Sequence, residues 1–132
     1  MIPRAFWAYF AAFYFAVQTL AGLLWWLVIA LDPAVRRFFR PADAPDSVLL
    51  AFFLPDAILF LGAGMWCAIR LFRAPRTAKI PLALHVGATV YAALYCLAQT
   101  LLTGQAILAT LFMLACAGCG AFLGWKAVSG ND

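Results

Sequence analysis

The sequence predicts an all-α integral membrane protein, a four-helix bundle forming a single transmembrane domain over residues 1–132. Three observations lead there. The chain is 67% apolar and 11% charged, with a mean hydropathy of +0.98, whereas ordinary globular chains carry roughly 25% charged residues. Nine basic and five acidic side chains are too few to cover a water-facing surface. The apolar residues also fall into four continuous runs, each about 20 residues or longer, the length that crosses a hydrocarbon core. Continuous rather than alternating runs point to helices, one of the two structures that satisfy their backbone inside lipid.

The first span is expected at about residues 5–31, opened by Pro3 and closed by Asp32-Pro33. Its length exceeds the roughly 7–15 residues of a signal-peptide core, and no small-x-small site ends it, so it reads as a retained span. The second is expected at about 47–72, after the helix-start pair Asp46-Ser47. The third, about 80–103, begins at Ile80-Pro81, where proline suits a first helical turn. The fourth is expected at about 105–128. In the first connection, Asp32-Pro33 and Pro41 bracket a short interfacial helix over about 33–40. It carries Arg36, Arg37 and Arg40, with Phe38 and Phe39 able to dip into the interface.

Lys and Arg placement sets the expected orientation. Arg4, Arg70, Arg73, Arg76, Lys79 and Lys126 share one side of a four-span chain, against Arg36, Arg37 and Arg40 on the other. Six against three places both termini in the cytoplasm. The five tryptophans, Trp7, Trp25, Trp26, Trp66 and Trp125, lie near span ends and read as an interfacial belt. The net charge of +4 is therefore a match for anionic lipid headgroups rather than nucleic acid. Headgroup contacts are expected at Arg36, Arg37, Arg40, Arg70, Arg73, Arg76 and Lys79.

One carboxyl falls inside a span. Asp56 sits near the middle of the second run, behind Pro55, which cannot donate to Ala51 and so breaks the helix beside the acid. An ionisable residue at that depth is a functional candidate by default. Counting about 1.5 Å per residue from the span ends brings Gln18, Tyr91 and Tyr95 to a similar level. Tyr91, Tyr95 and Gln99 share one stripe at i, i+4, i+8. A ligand or proton site of Asp56, Gln18, Tyr91, Tyr95, Gln99 and His85 is the result, with Gln18, Asp56 and Tyr95 as its mid-membrane pocket and His85 about two turns away. One histidine cannot supply two axial imidazoles, which excludes a b-type haem. Cys116-Ala-Gly-Cys119 is a CxxC, but no cysteine lies in an aqueous loop to relay a disulfide, and the four cysteines read as small apolar packing residues. Zinc held by Cys67, Cys119 and His85 is allowed by depth but needs deprotonated thiolates. No metal or cofactor is expected. Gly62, Gly64, Gly87, Gly118, Gly120 and Gly124 fit close helix packing, within the bundle or between copies.

The acid in the second span, His85-x-x-x-Thr89 in the third and the four-span plan resemble the sterol-isomerase and sigma-2-receptor superfamily over the middle of the chain. That resemblance implies a sterol-like ligand inside the bundle. The family's long first connection and second acidic site are absent here, so its chemistry does not carry over. Tyr91-Ala-Ala-Leu-Tyr-Cys96 resembles small bacterial membrane domains found beside lipid methyltransferases.

Dense small and aromatic residues with little reactive chemistry lead to the expectation of a non-enzymatic lipid-binding module or an accessory subunit of a larger membrane complex. Membrane lipids and a homo-oligomer or complex are the expected partners, and the bacterial inner membrane is the expected location. A small proton- or ion-coupled transporter, working as a dimer with Asp56 as the titrating group, is the second expectation. A membrane enzyme using Asp56 on an apolar lipid is the third.

Overall fold

The computed structural model describes residues 4–128, and among these all regular structure is helical. Four helices are long and apolar enough to cross a membrane. They are α1 (Arg4–Leu31), α3 (Asp46–Arg73), α4 (Lys79–Thr103) and α5 (Ile107–Val128). A short α2 (Pro33–Arg36) follows α1, and a 3₁₀ turn (Pro75–Thr77) joins α3 to α4. The expected span limits agree with these helices to within about two residues. The connecting helix is shorter than expected. It ends at Arg36, and residues 37–40 form turns.

The four long helices close a ring in which α1 packs on α3, α3 on α4, α4 on α5, and α5 on α1. Small residues make that closeness possible. On α1, Ala8, Ala12, Phe15, Thr19, Trp26 and Ile29 are buried at helical spacing. A main core joins Ala11, Ala12 and Phe15 to Cys67, Ala68 and Leu71 of α3, Leu82 of α4 and Leu123 and Ala127 of α5. A smaller one gathers Trp26, Ile29 and Leu49 toward the other end. The exterior is apolar as well. Phe13 is 69% exposed, Leu102 86% and Leu108 82%. Large hydrophobic side chains thus cover the outside while alanine, glycine and threonine fill much of the inside, the packing pattern of helices that meet in lipid.

The loops are fastened by polar contacts. Asp32 accepts from the Ala34 amide at 2.9 Å, capping α2 behind Pro33. Gly104 ends α4 in the left-handed region, at φ 69°, its N–H donating to Thr100 O. Ala106 also lies there, at φ 62°. Thr100 Oγ1 donates to Gln105 O at 2.8 Å and lies 2.7 Å from Thr110 Oγ1, tying this turn to α5.

α3 is irregular in its first half. Its opening α-turn, Asp46–Leu50, loosens at Ala51 and Phe52, one turn ahead of Pro55. A three-residue α segment, Phe53–Pro55, then gives way to a π-helical stretch over Asp56–Gly62 before regular α-helix resumes at Ala63–Arg73. At the exit, the Ala63 N–H reaches back to Ile58 O and Phe60 O.

Candidate functional site

Two polar groupings lie inside the bundle, and they divide the expected pocket between them. The first is built on His85, which is fully buried on α4. Its Nδ1 donates to Phe60 O of α3 across 2.8 Å, and its Nε2 lies 3.2 Å from the Gln18 amide of α1. With the Nδ1 proton committed to Phe60, a neutral imidazole offers only a lone pair at Nε2. Gln18 fits that lone pair with its NH₂ turned toward the ring. In the opposite orientation the amide nitrogen is buried without an acceptor. Phe15 stands edge-on to the imidazole at 5.3 Å and Phe60 tilts over it at 4.8 Å. Thr89 Oγ1 donates back to His85 O at 2.8 Å, within α4.

Gly64 makes room for this group. A Cβ there would sit 2.7 Å from His85 Nδ1 and would also meet the Thr19 hydroxyl, well inside ordinary contact. Thr19 itself is 4% exposed, and its Oγ1 has no hydrogen-bond partner among the described residues. On the next face of α1, the Tyr14 hydroxyl donates to Cys116 O of α5 at 3.1 Å.

The second grouping is Asp56 and Trp26. The indole Nε1 donates to Asp56 Oδ2 at 3.2 Å, joining the smaller core of α1 to the first residue of the π stretch. Phe53 stands edge-on to the Trp26 ring at 5.2 Å and Trp25 at 4.8 Å. Trp26 is 4% exposed, so it is a core residue with a specific acceptor and not a member of an interfacial belt. The sequence offered a signal for this: Trp26 continues the buried α1 stripe through Thr19 and Phe15.

Gln18 and Asp56, expected together, are therefore apart. The depth count treated all spans as starting on one plane. Gln18 stands fourteen residues into α1 and His85 six into α4, yet the two side chains meet. Phe15, eleven residues into α1, meets the same ring, so α1 begins ahead of α4 by five to eight residues, about 8–12 Å of helix rise. Tyr91 is 65% exposed, and Tyr95, on the same stripe, reaches Phe52 with ring centroids 4.8 Å apart. Gln99 is half-buried, and its carbonyl accepts from Thr103 Oγ1 at 2.7 Å. Cys67 is fully buried in the main core, and all four cysteines are free thiols. Among the described residues, no three His, Cys, Asp or Glu side chains gather as a metal site would require.

The basic residues also divide. Arg36 turns onto its own chain: Nε donates to Ile29 O at 2.8 Å, Nη2 to Ala30 O at 3.1 Å, and Nη1 to Asp46 Oδ2 at 3.2 Å. It therefore caps the last carbonyls of α1 and pairs with the first residue of α3. Arg40 Nε donates to Asp46 Oδ1 at 2.8 Å, and its Nη1 to the carbonyls of Pro41 and Ala44. Arg37 is exposed, 4.9 Å over the Phe38 ring. At the other end of the bundle Arg70, Arg73, Arg76 and Lys79 are all exposed, and Lys126 lies over the Trp125 ring at 5.0 Å.

No protein-family model, curated protein or solved structure matches the chain.

Proposed function

We propose that the chain is a multi-pass membrane protein of the bacterial inner membrane, with both termini cytoplasmic, acting as a lipid-binding module or accessory subunit of a larger membrane complex. One observation carries the reading: His85 and Asp56 are each tied to a neighbouring helix, while the apolar outer surface is left for partners. Both His85 nitrogens face partners on other helices, and Asp56 holds an indole proton. These contacts fix helix against helix, as interhelical hydrogen bonds do in membranes. The basic end, with Arg70, Arg73, Arg76 and Lys79, suits the anionic cytoplasmic leaflet. Extraction of a tagged chain in mild detergent, followed by intact-complex mass spectrometry, tests this. Retained lipid or a stoichiometric membrane protein supports the proposal. A lipid-free, partner-free monomer removes it.

The π stretch favours a second reading, a proton- or ion-coupled carrier working as a dimer. Short π segments are frequent at functional sites, and this one starts at Asp56. In proteoliposomes, Asp56→Asn should then abolish proton-coupled flux. Flux that persists unchanged, or is never seen with the wild type, leaves the first reading alone.

A further inference from the structure

A groove of about 240 Å³ runs along the outer seam between α4 and α5. Lys79, Leu82, Ala83 and Val86 form one wall, and Ala121, Gly124, Trp125 and Val128 the other. Each wall spans eight residues at helical spacing, about 10 Å of rise. The floor is closed where Leu82 packs onto Gly124, at which a Cβ would lie 2.6 Å from Leu82 Cδ1. Beyond the groove its two stripes continue at Gly87 and Gly118, where a Cβ would meet nothing. Helix packing inside the chain therefore does not demand glycine at either place.

The walls are apolar except at one end. Lys79 stands at the mouth, exposed and with no ion pair among the described residues. Lys126 adds a second positive charge over the Trp125 ring. The paired acid Asp46 lies at the far end of the bundle, with Arg36 and Arg40. An elongated apolar channel with cations only at its opening matches one chemistry, an acyl chain bearing an anionic headgroup. A second copy on the same seam, inserted in the same orientation, would instead bring two sets of lysines together.

We infer that the α4–α5 groove binds one anionic phospholipid, its acyl chain along Ala83 and Ala121 and its phosphate on Lys79. This rests on the lipid-binding reading above and names its site. The test is intact-complex mass spectrometry of the full chain in mild detergent, titrated with phosphatidylglycerol or phosphatidylcholine of identical chains. The wild type should hold one phosphatidylglycerol about fivefold more tightly than phosphatidylcholine, the preference expected of one basic residue at an anionic surface. Lys79→Gln should remove that preference and leave chain binding. Ala121→Leu fills the groove from an exposed position and should remove binding of both lipids; Ala83→Leu on the opposite wall repeats the test if Ala121→Leu fails to fold. Equal wild-type affinity for the two lipids overturns the assignment. So does undiminished binding in a folded groove-filling variant, or loss of a dimer in place of a lipid. In those cases the lipid-binding reading stands unless the wild type retains neither lipid nor partner.

Discussion

Gly64→Ala adds one methyl group where α3 meets His85. The new carbon would lie 2.7 Å from Nδ1 and 2.8 Å from Cε1 of the imidazole, some 0.6–0.7 Å short of ordinary contact. The ring cannot retreat that far and keep its 2.8 Å bond to Phe60 O. Forcing a methyl into a packed interior costs about 1–3 kcal/mol, and leaving a buried donor without its partner costs about 1–3 kcal/mol more. The higher helix propensity of alanine returns about 1 kcal/mol. Gly64→Ala should therefore destabilise the chain by about 1–5 kcal/mol. Gly118→Ala, whose added carbon meets nothing, should be neutral or stabilise by up to about 1 kcal/mol. Reversible denaturation in detergent, followed by circular dichroism, measures both. Combining Gly64→Ala with His85→Ala should be less harmful than the sum of the two changes, because the part of the clash that falls on the ring leaves with it while the part on the Thr19 hydroxyl stays. Equal stability of the two glycine variants, or strict additivity in the double variant, would refute the packing argument.

Three further outcomes follow from other contacts. Trp26→Phe keeps an aromatic ring, though a smaller one, but deletes the donor to Asp56, and should lower stability by about 1–3 kcal/mol; Asp56→Asn retains an acceptor oxygen and should change it by less than about 1 kcal/mol, both read by thermal melts in detergent. Arg36→Ala uncaps Ile29 and Ala30 and removes one partner of Asp46, for an expected loss of about 1.5–3 kcal/mol, and Arg36→Lys should recover little because one ammonium cannot serve three separated acceptors. Ala106→Gly relieves a left-handed alanine worth about 1–2 kcal/mol and should raise the melting temperature, since the freedom glycine gains in the unfolded chain offsets only about 0.5–1 kcal/mol of that.

The long helices were legible because apolar length is a one-dimensional property, and Pro55 announced the break in α3 by chemistry alone. The polar pairs were not. Which side chain meets Gln18 depends on how far α1 begins ahead of α4, and no residue count within a span carries that offset. Trp26 fell into the expected belt for a related reason: proximity to a span end is a statement about depth, whereas burial is a statement about the helix face, which the spacing from Phe15 and Thr19 carried. The arginines of the first connection read as a charge cluster, but Arg36 and Arg40 are fixed by carbonyls and a carboxylate that only the folded turn brings within reach.

The π stretch also acts as a phase adapter. An α-helix turns about 100° per residue, and a π segment makes each turn with more residues than an α-helix does. Asp56–Gly62 therefore resets the angular register between the half of α3 that presents Asp56 to Trp26 and the half that presents Gly64, Cys67, Ala68 and Leu71 to the core. Wound instead as regular α-helix, the same seven residues would turn roughly 100° further and swing the two halves relative to each other, whereas deleting one of them would restore a regular helix and keep their facing. With that extra turn one half or the other would face outward, so the wider winding that begins at Asp56 sets which way half a helix looks.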